Sequence, residues 1–280
     1  MTTLNFIYPG KTDIQYKMML FPDGQPHLKL DMPGIAKQDK KTPLRILARI
    51  ANSNDLLLVL LAKNTLDYLE FEHTELHISY LMAARMDRVM QSGEPFSLKV
   101  IAAMLNSAGF KKILIFDPHS EVATALIERS YSIANHAFVK DSIAVYQAKH
   151  PVEKYLLVSP DAGALKKIHA LAQYLDMTEV IECFKERDLK TGSLSGFTTT
   201  AEKIDSKATC FIVDDLCDGG GTFAGTAKML KAKGANKIVL IVSHGIFSKG
   251  TAIEGVDEIY TTDSYKKTDG VNCLSIEQYL

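Results

Sequence analysis

"CFIVDDLCDGGGTFAGTAKML", Cys210 to Leu230, decides the fold. An apolar, partly β-branched run ends in two adjacent aspartates. A third aspartate follows, and then three glycines and a threonine open a stretch of helical character. Strand, glycine turn and helix, in that order, build an anion cradle from backbone N–H groups and a helix N-terminus. Three carboxylates beside such a cradle need a reason. Alone, the stretch also reads as a Gly-rich connector with acidic capping residues. Three consecutive glycines, however, cost entropy on folding and suggest backbone that must approach a ligand closely.

The same rhythm extends on both sides. Continuous apolar runs predict strands at Asp55–Ala62, Leu76–Ala83, Lys112–Asp117, Tyr155–Asp161 and Lys237–His244, of the kind covered on both faces in a parallel sheet. Helices are predicted between them, at Pro95–Gly109 with its bounding Pro and Gly, and at Ser120–Ser130, Ala162–Leu175 and Thr222–Gly234. Alternating strands and helices predict an α/β fold. The pattern runs twice, with a soft boundary within His136–Tyr155, so two stacked α/β lobes are expected, 1–142 and 143–280. Four strands end in polar groups, "DPHS", "SPDAG", "DDLCD" and "SHG". In open α/β sheets ligands sit beyond such carboxyl ends.

Bulk properties exclude several classes. The net charge of −1 gives no basic field for nucleic acid, and "KQDKK" (Lys37–Lys41) reads as a solvated loop. Cys183, Cys210, Cys217 and Cys273 have neither zinc nor CxxC spacing and fit reduced thiols of a cytoplasmic protein. The N-terminus lacks a signal-peptide pattern. No apolar run reaches the about 18 residues that span a bilayer, so no membrane partner is expected.

The glycine turn can be tested against known cradles. No Lys follows it, which rules out GxxxxGKS/T. "GGGTFA" fits GxGxxA formally, but a dinucleotide site expects an acidic residue about 20 positions on, where this chain has "VSHG". Carboxylates placed before the glycines instead suit vicinal sugar hydroxyls, with the turn holding a phosphate of the same sugar. The segment resembles the phosphoribosyl-binding motif of type I phosphoribosyltransferases and ribose-phosphate pyrophosphokinases (PRPP synthetases).

Other motifs favour the second group. "FKERDLKTGSLSGF" (Phe184–Phe197) resembles the synthetase catalytic loop, with Lys185 and Arg187 as its K-x-R signature after a strand, although alone it reads as a charged surface loop. Positioned cations stabilise a transferring diphosphate most in the transition state, and the Gly- and Ser-containing stretch suits a loop that closes over substrate. "FDPHS" and "VSPDAG" resemble the D-x-H and S-P-D-A-G motifs. A lone His at a strand end is commonly structural; the resemblance makes His119, with Asp117 and Asp161, a contributor to Mg²⁺, and lets Gly163 bring backbone to substrate. "AARMDR" resembles the R-Q-D-K/R segment and implies ATP contacts from Arg85, Asp87 and Arg88, with Met86 in place of the usual Gln. "FPDGQ" resembles F-x-D/N-x-E and implies Phe21 stacking on adenine of a neighbouring subunit, beside Asp23, with Gln25 where Glu is usual. "SHGIFS" matches the family without an assigned role. The motifs run in consistent order from Phe21 to Asp263, and the tail after Asp263 is shorter than is common, consistent with loss of distal regulatory contacts.

The resemblance implies two stacked type I phosphoribosyltransferase-like lobes, ATP on 1–142 and ribose phosphate on 143–280. It implies a homo-oligomer, at least dimeric, that transfers the diphosphate of ATP to the anomeric hydroxyl of ribose 5-phosphate with Mg²⁺. Catalysis would fall to Lys185, Arg187 and His119. Asp161, Gly163, Asp214, Asp215 and the loop Asp218, Gly219, Gly220, Gly221, Thr222 would bind the acceptor. Family loops usually read D-T-x-G-T, so Gly219 lacks a hydroxyl and opens space. This leaves ADP-ribose as an alternative acceptor, and the chain is similar to short synthetase-like proteins of phage and bacterial NAD-salvage gene sets. A catalytically silent, nucleotide-binding regulatory subunit is a further alternative.

Overall fold

The computed structural model describes residues 1–151, 154–187 and 194–280, with backbone alone at 186–187 and 194–195. The chain divides into two compact units, Met1–Ala134 with Glu277–Leu280, and Asn135–Ile276.

The first unit contains β1 (Thr2–Asn5), a hairpin of β2 (Tyr16–Leu20) and β3 (Pro26–Leu30), and the single turn α1 (Met32–Ile35). Then come β4 (Leu44–Ile50), α2 (Ser53–Tyr68), β5 (Thr74–Leu81), α3 (Ser97–Ser107), β6 (Lys112–Phe116), α4 (Val122–Leu126) and β7 (Ser130–Ile133). Its five-stranded sheet has the order β1-β4-β5-β6-β7 and is parallel throughout. Ile46, Ile50, Leu76 and Ile78 of the sheet are buried in one core with Leu56, Val59 and Leu66 of α2 and Leu98 and Leu105 of α3. The C-terminal residues rejoin this unit, where Glu277 pairs with Lys11 and Tyr279 stacks on Phe116.

Asp55–Ala62, expected as a strand, lies inside α2. The side chain of Asn52 accepts from the backbone N–H groups of Asn54 (2.9 Å) and Asp55 (3.1 Å), and Asp55 answers by accepting from the Asn52 N–H. That reciprocal capping box starts a helix. The run is Leu-rich, which favours helix over strand, and its unbroken apolar character hides the helical period. Only the burial of Leu56, Val59, Ala62 and Leu66 reveals it.

In the second unit, α5 (His136–Lys149) precedes β8 (Tyr155–Ser159), α6 (Leu165–Tyr174), β9 (Val180–Arg187), β10 (Leu194–Thr199), β11 (Thr209–Cys217) and α7 (Gly221–Ala232). It ends with β12 (Lys237–Gly245), β13 (Glu258–Thr262) and β14 (Asn272–Leu274). The 142/143 boundary falls within α5, whose Tyr146 meets Phe211 and Tyr260 of this unit edge to face. The seven strands are ordered β10-β9-β8-β11-β12-β13-β14; all neighbours are parallel except the β9–β10 hairpin. β12 is buried from Ile238 to Gly245, as a central parallel strand requires.

The two larger sheets are mainly parallel and flanked by helices, as the sequence predicts. Among the described residues no helix is long and apolar enough to cross a membrane. All four cysteines are free thiols. Burial pushes Cys183 up to about 11 and Cys210 and Cys217 up to about 12, so these three stay protonated and unreactive at neutral pH.

Candidate functional site

In the second unit, β9, β8 and β11 run side by side and in parallel, which gathers the predicted acceptor residues at their carboxyl ends. Beyond β8, the buried Ser159 hydroxyl donates to the Asp161 carbonyl at 2.9 Å. Asp161 Oδ1 accepts from the backbone N–H groups of Gly163 (2.9 Å) and Ala164 (3.1 Å), which leads the chain into α6. Its other oxygen pairs with the ammonium of Lys185 on β9. Lys185 and Arg187 therefore belong to the end of a strand, not to the loop after it, because β9 is extended by its antiparallel partner β10. The side chain of Arg187 and the loop 188–193, expected to close over substrate, lie outside the described residues.

At the end of β11 the two aspartates have become structurally distinct. The Asp215 N–H donates to Asp214 Oδ1 at 2.9 Å, and Asp215 is buried. Burial first, and then the negative charge of Asp215, push the Asp214 carboxyl well above the usual carboxylate range, with Asp161 adding in the same direction. Parallel strand pairing thus brings Asp161, Asp214 and Asp215 together at neighbouring carboxyl ends, with Lys185 paired to Asp161. A sugar whose hydroxyls donate to these oxygens would relieve that crowding.

Asp218 to Thr222 form the turn into α7. Gly220 is its N-cap at φ 75°, and no side chain caps the helix. The first N–H groups of α7 have no intrahelical partner and are available to an anion. The left-handed φ requires glycine at 220, and there the built Cβ would lie only 3.1 Å from Ile253. The "SHGIFS" segment finds its structural role here. The Ile246 and Phe247 N–H groups donate to the Cys217 carbonyl at 2.9 and 3.1 Å, and Ser248 N–H donates to the Asp218 carbonyl at 3.2 Å. Phe247 takes a left-handed φ of 48° within this strap.

Sequence reasoning passed over Phe197. Its ring lies so close to Gly225 of α7 that a Cβ at 225 would sit 2.1 Å from it. The hairpin that carries Lys185 is thereby docked on the helix that begins at the glycine turn. The only signal in the sequence was a glycine inside a helical pattern, which implies close approach.

In the first unit, the loops after β5 and β6 meet. The Ser120 hydroxyl donates to Asp87 at 2.6 Å, which joins "AARMDR" to "DPHS" at neighbouring carboxyl ends; Ser120 had no predicted role. Arg88 stands 3.9 Å from Asp87. Met86 is exposed, and its backbone is fixed between Ala83 and Leu98. His119 is exposed and Asp117 buried. Phe21, Asp23 and Gln25 form the tip of the β2–β3 hairpin, closed by Phe21 N–H to Gln25 carbonyl (2.9 Å) and by Gln25 N–H to Asp23 (3.1 Å). Asn54, at the start of α2, donates to Gly24 at 3.2 Å. Phe21 is 41% exposed with its ring 5.4 Å from His27, so it presents an aromatic surface at the tip.

Residues 133–275, which carry the acids and the glycine turn beyond the central strands of the second sheet, match the phosphoribosyl transferase domain family. A ribose-phosphate pyrophosphokinase of Mycoplasmopsis pulmonis is 28% identical over 223 residues, covering 76% of this chain and 65% of that relative. Another, from Pyrococcus abyssi, is 27% identical over 274 residues, covering 95% of this chain and 89% of the relative. The structure of phosphoribosylpyrophosphate synthetase from Mycobacterium smegmatis superposes with a TM-score of 0.77 at 20% identity, covering 95% of this chain and 87% of that one. The chain belongs to the phosphoribosyl transferase domain family, and its sequence is similar to those of ribose-phosphate pyrophosphokinases.

Proposed function

We propose that the protein is an ATP-dependent diphosphokinase. The anomeric hydroxyl of ribose 5-phosphate attacks the β-phosphorus of ATP; the bond to the α-phosphate oxygen breaks, AMP leaves, and the acceptor retains the diphosphate at C1. The observation that carries this reading is the grouping of Lys185, Asp161, Asp214 and Asp215 at adjoining strand ends, next to an uncapped helix start. Asp214 and Asp215 accept from the ribose hydroxyls, and the turn 218–222 takes the 5-phosphate. Lys185 exchanges Asp161 for the transferring diphosphate, with Arg187 alongside on the same strand. Phe21, Asp23, Gln25, Arg85, Met86, Asp87, Arg88 and His119 serve ATP in the family-based reading, which also makes the protein an oligomer.

In this reading His119, Asp117 and Asp161 would contribute to Mg²⁺, the two carboxylates supplying the hard oxygen donors that suit that ion. Among the described residues no three His, Cys, Asp or Glu side chains cluster as a metal cage. Mg²⁺ takes most of its ligands from phosphates and water. Mg²⁺, when bound, would supply charge neutralisation on the polyphosphate.

Gly219 favours a second acceptor, ADP-ribose. It is exposed, and its φ lies outside the left-handed region, so no backbone strain demands glycine there. Mass spectrometry of products from ATP, Mg²⁺ and each acceptor tests both readings. A 1-diphosphate with stoichiometric AMP is expected from ribose 5-phosphate. Turnover confined to ADP-ribose would transfer the proposal to that acceptor, and AMP release with neither would end it.

A further inference from the structure

Between Thr209 and Ala227 the chain has three aspartates and no lysine or arginine. Asp214 already resists ionisation because of burial and its acidic neighbour. A dianionic phosphate at the glycine turn would therefore meet backbone dipoles and a negative field together. A half-charge from a helix N-terminus is a modest offset against nearby full charges. A cation brought from another element would offset that field, and Lys185 is engaged by Asp161.

Lys249 occupies the required place. A Cβ built on Gly219 would lie 3.5 Å from both Cδ and Cε of Lys249 and 3.8 Å from its Cγ, so the lysine stem runs across the face of the turn. The arrangement is constructed. The strap 246–248 donates three backbone hydrogen bonds to Cys217 and Asp218 and tolerates a left-handed Phe247 to do so, a conformation that costs free energy and persists where the surroundings fix it. Lys249 follows directly. It is exposed, and among the described residues no carboxylate pairs with it. Glycine at 219 leaves the stem room. A Cβ at 219 would itself stand in van der Waals contact with Cδ and Cε.

We infer that Lys249 receives the 5-phosphoryl group of the acceptor at the glycine turn, replacing with an ammonium the hydroxyl that position 219 lacks. The inference rests on the acceptor site of the proposed diphosphokinase and adds a recognition residue to it. A lysine head on a flexible stem is a mobile point charge, which accommodates a phosphate monoester or a phosphate continuing into a diphosphate.

Calorimetric titration of the full-length protein with ribose 5-phosphate and with ADP-ribose tests this. Lys249→Met keeps the packing of the stem and removes the charge. It should weaken whichever acceptor the wild type binds by about ten- to a hundredfold, the loss of one charge-assisted hydrogen bond, while ATP binding and Tm hold. Lys249→Arg should restore most of the affinity. Unchanged acceptor affinity in folded Lys249→Met overturns the role of Lys249 and leaves the diphosphokinase reading standing. A wild type that binds neither acceptor overturns the site reading, and the inference with it.

Discussion

Lys185, near the end of β9, holds its ammonium against the Asp161 carboxylate beyond the end of β8. Both are largely shielded from solvent, with side chains 26% and 16% exposed, so the pair is worth more than an exposed one. In the proposed reaction the arriving diphosphate competes with Asp161 for this cation. Lys185→Ala should lower kcat by about 10²–10³-fold, as expected for removal of one preorganised charge from a transition state. Steady-state AMP release, with circular dichroism to check folding, measures it. AMP release at the wild-type rate would remove Lys185 from the mechanism.

Phe197 on Gly225 predicts a coupling between the hairpin that carries Lys185 and helix α7. Gly225→Ala places a Cβ 2.1 Å from the ring, so the ring and β10 must move. Helix propensity alone would make the substitution stabilising by up to about 1 kcal/mol. The expected outcome is the opposite, a lower Tm and a reduced kcat. A second variant, Phe197→Ala, should suppress the defect of Gly225→Ala, because the clash then has no partner.

The raised Asp214 carboxyl predicts a pH-dependent trade of stability for function. The fold prefers the protonated acid, so this group's contribution is fully present below the usual carboxylate pKa and is lost as pH rises through the raised value. Asp214→Asn supplies a neutral near-isostere. It should raise Tm above wild type at pH 8, by about 2–4 °C for each kcal/mol relieved, and give no advantage at pH 4. Acceptor binding should fall in the same variant. An Asn variant no more stable at pH 8 would show that Asp214 is not disfavoured as the anion.

Neighbouring glycines of the turn separate backbone need from ligand need. Gly220→Ala forces a left-handed alanine and presses on Ile253, at a cost of about 1–3 kcal/mol; Tm should drop. Gly221→Ala meets nothing within 4 Å, so Tm should hold while acceptor affinity falls, because only the bound phosphoryl group would touch the new methyl. Melting curves and titrations on the two variants decide this.

Much of this was legible in the chain. The turn at 218–222 and the acids before it announced themselves because strand, glycines and helix are local, and their chemistry is written in consecutive residues. Two kinds of feature were not. Asp55–Ala62 was read as a strand because its helical period is masked by seven apolar residues in eight, and the deciding Asn52–Asp55 cap sits at its border. The Lys185–Asp161 pair, Phe197 on Gly225, Ser120 on Asp87 and Lys249 on Gly219 all join separate segments. No spacing in one sequence encodes such meetings; they follow from sheet order and from the antiparallel turn of β10.

The hydrogen bonds from 246–248 to the Cys217 and Asp218 carbonyls bear on how such a protein changes its diet. Residues 209–250 form one transplantable cartridge in which β11, the glycine turn, α7, β12 and the strap arrive together. Grafting the turn alone into a relative would strand two carbonyl acceptors without their donors, at about 1–3 kcal/mol for each that is buried. Exchange of the whole segment keeps those bonds internal, and the contacts of Gly225 with Phe197 and of Gly220 with Ile253 are the ones a host would have to match.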